Sequence, residues 1–154
     1  ATLFPYTTLF RSYIFGTEYD SGGAGVITTM DDYSKFAYAM AHGGVGMNGS
    51  RILSKSTIDL MRTNVLDGKR LKTFRSWNSN VGYGYGFGVR TKIDQGLGGS
   101  LTSIGEFGWD GWTGNYMTVD CSEDLTIVYF IQRCGAGFTP AMRRIRSVIY
   151  GSIE

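Results

Sequence analysis

Between Gly105 and Asp120 the chain reads GEFGWDGWTGNYMTVD. Four glycines and two tryptophans fall in its first ten residues, after which the pattern turns strand-like. Glycine beside aromatic side chains favours β structure with tight turns. The stretch is compatible with a phosphate loop, a sugar platform or the edge of an active-site cleft. Its continuation narrows the fold. NYMTVD and LTIVYFIQ read as two strands joined by the short turn CSED. The second is apolar on both faces, which predicts a central strand covered on both sides. Upstream, GYGYGFGVRT alternates strictly: Tyr83, Tyr85, Phe87 and Val89 on one face, Gly84, Gly86 and Gly88 on the other. That is a period-2 strand with one bare face, and a neighbouring segment packed against it is the expected reason. The run does not complete a GxGxxG fingerprint, and it is a strand where that motif needs a strand-to-helix turn.

Helices flank these strands. VITTMDDYSKFAYAMAHGG predicts a helix with Thr29 as N-cap, Asp31 and Asp32 in the first turn, and Tyr33, Phe36, Ala37 and Met40 at helical spacing. Gly43 and Gly44 stop it. His42 falls in its last turn; with no carboxylate or nucleophile placed beside it, a C-terminal dipole partner is the expected role over a catalytic base. LSKSTIDLMRTN predicts a second helix capped by Ser54, with Thr57, Leu60 and Met61 on one side and Ile58 near its edge. VLDGKRLKTFRSWNSN reads as a polar, irregular surface excursion. TPAMRRIRSVIYGSI predicts a terminal helix capped by Thr139, with Pro140 in its first position and Met142, Ile145 and Ile149 as a buried stripe. Arg143, Arg144 and Arg146 then form a solvated face. The fold class is therefore α+β, an antiparallel sheet flanked by helices.

The 154 residues suffice for one domain with a core, and 42% hydrophobic with 18% charged residues is a globular composition. A net charge of +2 is too small to point to nucleic acid, and no run approaches the roughly 18 apolar residues of a membrane span. Cys121 and Cys134 are separated by a long strand, which carries their ends beyond disulfide reach. They are expected to be reduced thiols, leaning toward a reducing compartment. Two isolated thiols and a single His make no metal site, and no cofactor is implied.

Taken together and in this order, SGGAGVITTMDDYSKFAYAM, RILSKSTIDLMRTN, YGYGFGV, GEFGWDGWTGNYMTVD and DLTIVYFIQ resemble the C-terminal part of a serine hydrolase of the class C β-lactamase, penicillin-binding protein and esterase superfamily. That family carries an S-x-x-K nucleophile motif, a tyrosine or serine loop motif, and a K-T-G-like motif on an edge strand. Trp109, Asp110 and Gly111 fall where the family has K-T-G, H-x-G or W-x-G. The resemblance implies a partial β-lactamase/transpeptidase-like fold in which Gly105 to Trp112 is the edge strand of a cleft. Gly111 would let a substrate approach the backbone, and the tryptophans would wall it. The backbone N–H of Trp112 would be one of two oxyanion-hole donors. Read without the resemblance, Trp109 and Trp112 are core aromatics beside a turn.

The implied chemistry is acyl transfer through a serine acyl-enzyme, on a small-molecule ester, amide or β-lactam. No serine of the chain is followed three residues later by lysine, so S-x-x-K is absent. The chain alone is expected to be inactive, its nucleophile lying N-terminal in the family. Residues 2–12, TLFPYTTLFRS, resemble the translation of a sequencing-library adapter. On that reading residues 1–12 are a foreign leader, residues 13–154 are the C-terminal part of a larger hydrolase, and the chain, lacking strands that complete the sheet, tends to self-associate. Trp109 in place of lysine offers no cation to a substrate carboxylate. Asp110 adds a negative charge beside the cleft, or accepts hydrogen bonds from backbone N–H groups of the turn. Two other classes stay open: a non-catalytic penicillin-recognising fold used for binding or sensing, and a carbohydrate-binding module with aromatic platforms.

Overall fold

The computed structural model describes residues 26–133, 135 and 140–153. The sequence readings that fall on the leader, on SGGAG, on Cys134 and on Thr139 lie outside them. The elements in chain order are α1 (Met30–Ala41), α2 (Lys55–Met61), α3 (Gly68–Phe74), a 3-10 turn (Asn78–Asn80), β1 (Tyr83–Tyr85), β2 (Arg90–Lys92), α4 (Gln95–Gly98), β3 (Phe107–Asp110), β4 (Tyr116–Asp120), β5 (Leu125–Tyr129) and α5 (Pro140–Tyr150). The strands form one antiparallel sheet in the order β1-β2-β3-β4-β5. An α+β antiparallel sheet flanked by helices is the architecture the sequence predicts.

The helix caps form as the sequence places them. Thr29 accepts a hydrogen bond from the Asp32 N–H at the start of α1, and Ser54 accepts one from Thr57 at the start of α2. Each satisfies a backbone donor that a helix start leaves without an intrahelical partner. The α2 face differs from the expected one. Ile58 is buried at 2% exposure, whereas Leu60 is 56% exposed. Seven residues are two turns, so the short helix presents a narrow stripe, and that stripe is centred on Ile58 with Met61 packed beside it.

Two further segments depart from their sequence reading. The polar stretch after α2 is not irregular: Asp67 caps α3 by accepting from the Arg70 N–H. The period-2 run is a hairpin, not one strand. Gly86 N–H donates to the Val89 carbonyl at 2.9 Å, reversing the chain between β1 and β2 and leaving Phe87 54% exposed. Its bare face does meet a neighbouring segment. A Cβ on Gly86 would collide with the Met61 carbonyl, and the Phe87 N–H donates to that same carbonyl at 3.0 Å.

The sheet has two unlike faces. On one, Phe107, Met117 and Val119 pack with Val89 against Ala37 and Met40 of α1 and Ile58 of α2, forming the apolar core. Strand alternation sends their neighbours to the other face, which lies under α5. There Glu106 is 0% exposed. Tyr83 Oη donates to its Oε2 at 2.8 Å, the Thr118 hydroxyl donates to its Oε1, and Arg146 Nη1 lies 3.7 Å from Oε2. Arg146 Nη1 also donates to Tyr83 Oη at 2.6 Å, and Tyr150 Oη donates to Asp120 at 2.8 Å. Lys92 is buried as well, donating to the carbonyls of Ser100 and Thr102. So Arg146 is not on a solvated face: it is 2% exposed because the sheet beneath α5 holds its carboxylate and phenol partners.

β5 is not the central strand that its sequence predicts. β4 is buried at every position, while β5, among the described residues, is an edge strand with only Ile127 fully buried. The polar side of β4, Tyr116, Thr118 and Asp120, is covered because it joins the buried polar layer.

Two outcomes follow. Ile58→Ala loses about 2–5 kcal/mol in urea unfolding, whereas Leu60→Ala stays within about 0.5 kcal/mol; equal effects would refute the assigned face. Burial, and next the Glu106 charge, push the Tyr83 phenol from 10.0 up to about 12. Burial likewise raises Tyr116 and Tyr150. A raised acid keeps its proton more firmly in the folded state, so this stabilisation is complete below pH 10 and is lost as pH rises through about 12. The Tyr83 share is on the order of 2–3 kcal/mol. Unfolding free energies measured from pH 8 to 12 fall in that window, and less steeply in Tyr83→Phe. A flat profile would refute the buried phenol.

Candidate functional site

β3 and β4 are joined by a three-residue loop, Trp112-Thr113-Gly114. Gly111 N–H donates to the Asn115 carbonyl at 2.7 Å and Gly114 N–H donates to the Gly111 carbonyl at 2.9 Å. Gly114 has φ +85°, the left-handed conformation that closes a three-residue hairpin. This places Trp112 second in a four-residue turn, where the N–H points away from the turn's own hydrogen bond. Among the described residues that N–H has no partner. The indole of Trp112 is 57% exposed. The loop is braced from the chain beyond β5: Arg133 N–H donates to the Thr113 carbonyl at 3.0 Å and Ile131 N–H to Asn115 Oδ1 at 3.1 Å.

Trp109 stands two residues before Gly111, in an aromatic group. Its ring meets Tyr85 edge-on at 5.3 Å and stacks on Phe74 at 6.4 Å; Phe74 and Tyr85 are 5.6 Å apart. Trp109 keeps 36% of its surface exposed, so it is not a core residue. α3, whose sequence reads as an irregular surface excursion, supplies Phe74 to this aromatic group.

Asp110 is not the acceptor for turn N–H groups that is one of the roles expected of it. Its Oδ1 accepts from Arg90 Nη1 at 2.5 Å, and no backbone N–H donates to it among the described residues. The Arg90 guanidinium is 1% exposed and lies 5.0 Å from the Tyr116 ring, 5.7 Å from Tyr83 and 5.9 Å from Trp109. The Asp110 charge is thus compensated from the buried side. Arg90 was missed because the run GYGYGFGVRT was taken as one strand. The signal that could have found it is the Arg90-x-Lys92 alternation set against Glu106 and Asp110, cations and carboxylates at matching period-2 spacing.

Gly111 is not sterically demanded by its neighbours. A Cβ there would meet Asn115 Cβ at 3.6 Å, an ordinary contact. The edge-strand expectation needs correction: β3 lies in the middle of the sheet. Only Phe107 and Gly108 pair with β2, however, so Trp109 and Asp110 have a ladder partner on the β4 side alone. The end of β3 that carries Trp109 to Trp112 is a local edge.

His42 is remote from this end. It caps α1, stacks on Tyr38 at 3.7 Å, contacts the Tyr38 carbonyl through Nδ1 at 2.8 Å and faces Asp124 at 3.4 Å. Asp124 is in the β4–β5 turn, at the opposite end of β4 from Trp112, so His42 cannot serve the β3–β4 loop as a base. Cys121 is a half-buried free thiol. Among the described residues no His, Cys, Asp and Glu cluster could hold a metal, and no helix is long and apolar enough to cross a membrane.

Known proteins resemble this chain. Protein Rv1367c of Mycobacterium tuberculosis H37Rv is 32% identical over 118 residues, 74% of this chain and 29% of its own length. An uncharacterized protein of strain CDC 1551, MT1414, matches to the same extent. The chain therefore spans under a third of these curated relatives. Among solved structures, EstCE1, a hydrolase with promiscuous acyltransferase activity, superposes with TM-score 0.71 at 23% identity, covering 90% of this chain and 34% of EstCE1. Unliganded simvastatin synthase (LovD) from Aspergillus terreus gives 0.63 at 17% identity, covering 79% and 33%. The family profile described as Beta-lactamase matches residues 4–148, and the chain belongs to that family.

Proposed function

We propose that this chain is the C-terminal, cleft-bearing portion of a serine hydrolase that acts through an acyl-enzyme, and that the Trp112 N–H is one of its two oxyanion donors. The observation that carries the reading is this N–H, unpartnered among the described residues and held on a braced hairpin loop directly after Trp109-Asp110-Gly111. In the proposed reaction a serine Oγ attacks the substrate carbonyl carbon, and the C=O electron pair moves onto oxygen. The Trp112 N–H stabilises that oxyanion as the alcohol or amine leaves. Water then attacks the acyl-enzyme and releases the acid. The chain holds no S-x-x-K, so the nucleophile and its lysine are supplied from outside it.

The site favours neutral acyl groups. Trp109 provides no cation for a substrate carboxylate, and Phe74, Tyr85 and Trp109 offer an apolar wall for an acyl chain or ring. Esters and amides therefore suit it better than β-lactams that bear a carboxylate. A hydrolase with acyltransferase activity among its structural neighbours agrees with an acyl-transfer role.

Two measurements test this. The 154-residue chain alone forms no acyl-enzyme with p-nitrophenyl butyrate by intact mass spectrometry. The protein expressed with its upstream coding sequence hydrolyses that ester. In it Trp112→Pro, which suits the second position of a turn and removes only the N–H and the indole, lowers kcat about 10²–10³-fold beyond Trp112→Ala. Equal rates for the two variants would remove Trp112 from the oxyanion hole. A hydrolytically silent full protein that still binds acyl ligands would make it a binding relative.

A further inference from the structure

The exposed end of β3 is held on one flank by a strand and on the other by a side chain. Phe107 and Gly108 pair with Thr91 and Arg90 of β2, and with Val119 and Thr118 of β4. Trp109 and Asp110 pair with Met117 and Tyr116 of β4 alone, because the chain of β2 turns away at Val89. Where the missing ladder would run, Arg90 reaches forward from the first position of β2. Its Nη1 donates to Asp110 Oδ1 at 2.5 Å, and its guanidinium is enclosed by Tyr83, Tyr116 and Trp109. At 1% exposure, among rings on three sides, it has little freedom to choose another partner.

We infer that Arg90 is a positioning residue for the oxyanion donor, acting through Asp110. The inference rests on the proposed role of the Trp112 N–H. It has two physical parts. The first is mechanical: Asp110 is the last residue of β3, and anchoring its side chain fixes where Gly111 and the turn begin. A displacement of about 1 Å there is enough to cost about 10²-fold in rate. The second is electrostatic. The Asp110 carboxylate stands two residues before the donor, close to where negative charge builds on the substrate carbonyl oxygen. Left uncompensated, it would oppose that charge. The Arg90 contact neutralises it from the buried side, without placing a cation in the cleft itself.

The test uses the protein expressed with its upstream coding sequence and p-nitrophenyl butyrate as the neutral substrate. Arg90→Met lowers kcat about 10²-fold with KM nearly unchanged, since the loss falls on the transition state. Arg90→Met/Asp110→Asn, which removes the stranded carboxylate, regains at least about tenfold of that loss. A purely structural arginine would lower the melting temperature and leave the double variant no faster than Arg90→Met; that result, or an unchanged kcat in Arg90→Met, overturns the inference. The Trp112→Pro and Trp112→Ala pair, measured alongside, separates the two claims. If Pro and Ala are equal, the oxyanion reading has failed; if Pro loses rate and Arg90→Met does not, only the role of Arg90 has failed. A readout independent of turnover is amide exchange in the 154-residue chain. Arg90→Met speeds exchange of the Gly111 and Gly114 N–H groups by about tenfold relative to Val119, and equal protection in both proteins would overturn the positioning role even if the full protein is silent.

Discussion

The carboxylate of Glu106 is the point on which the sheet and the last helix converge. It is fully buried, at the N-terminal end of β3, and receives hydroxyl donors from Tyr83 of β1 and Thr118 of β4 while Arg146 of α5 lies beside it. An isolated carboxylate at that depth would be strongly destabilising. Here each surrounding group comes from a different element, so the charge is tolerated only when β1, β4 and α5 are all in register. A buried ion pair is weak evidence for net stability, because an apolar replacement of equal volume is often neutral. Its contribution here is selection. α5 is an amphipathic helix that could slide or rotate on an apolar sheet face, but Arg146 and Tyr150 bind Glu106, Tyr83 and Asp120 in one arrangement only.

That layer also explains which parts of the structure were legible in the sequence. Local signals worked where a single backbone donor decides the outcome: Thr29 and Ser54 cap their helices as read, and the CSED turn joins two strands as read. The sequence was misleading where polar groups are buried. Arg146 marks a solvated helix face, because a polar residue's partners from distant segments are invisible in a linear reading. β5, apolar on both sides, then looked more central than β4. The hairpin at Gly86 was hidden for another reason: the glycine alternation continues unbroken through the reversal, and only the 2.9 Å bond from Gly86 to Val89 shows where the chain turns.

At the site, the residue types were readable and their contacts were not. The Trp109 to Trp112 string could be placed by its resemblance to a third family motif. That Asp110 is matched by a buried Arg90, and that Phe74 of an unforeseen α3 completes the wall around Trp109, depends on contacts spanning 20 and 35 positions. Such pairings become visible only once strand order is known.

The two ends of β3 differ in how far their backbone groups are used. At the N-terminal end the backbone is consumed: Lys92 N–H donates to the Glu106 carbonyl, Gly105 N–H donates to the Lys92 carbonyl, and Arg62 reaches the Gly105 carbonyl. At the other end β2 stops short, the ladder runs on one side only, and the next N–H after Gly111 is left for something outside the described residues to use. That loop is not loose: Ile131 and Arg133 both fasten it. For the proposed role of Trp112, a rigid donor with no acceptor among the described residues is what an oxyanion needs, since the stabilisation depends on the dipole being in place before charge develops. On that proposal, the stiffness of the polar layer beneath the sheet and the openness of the β3–β4 loop serve one requirement.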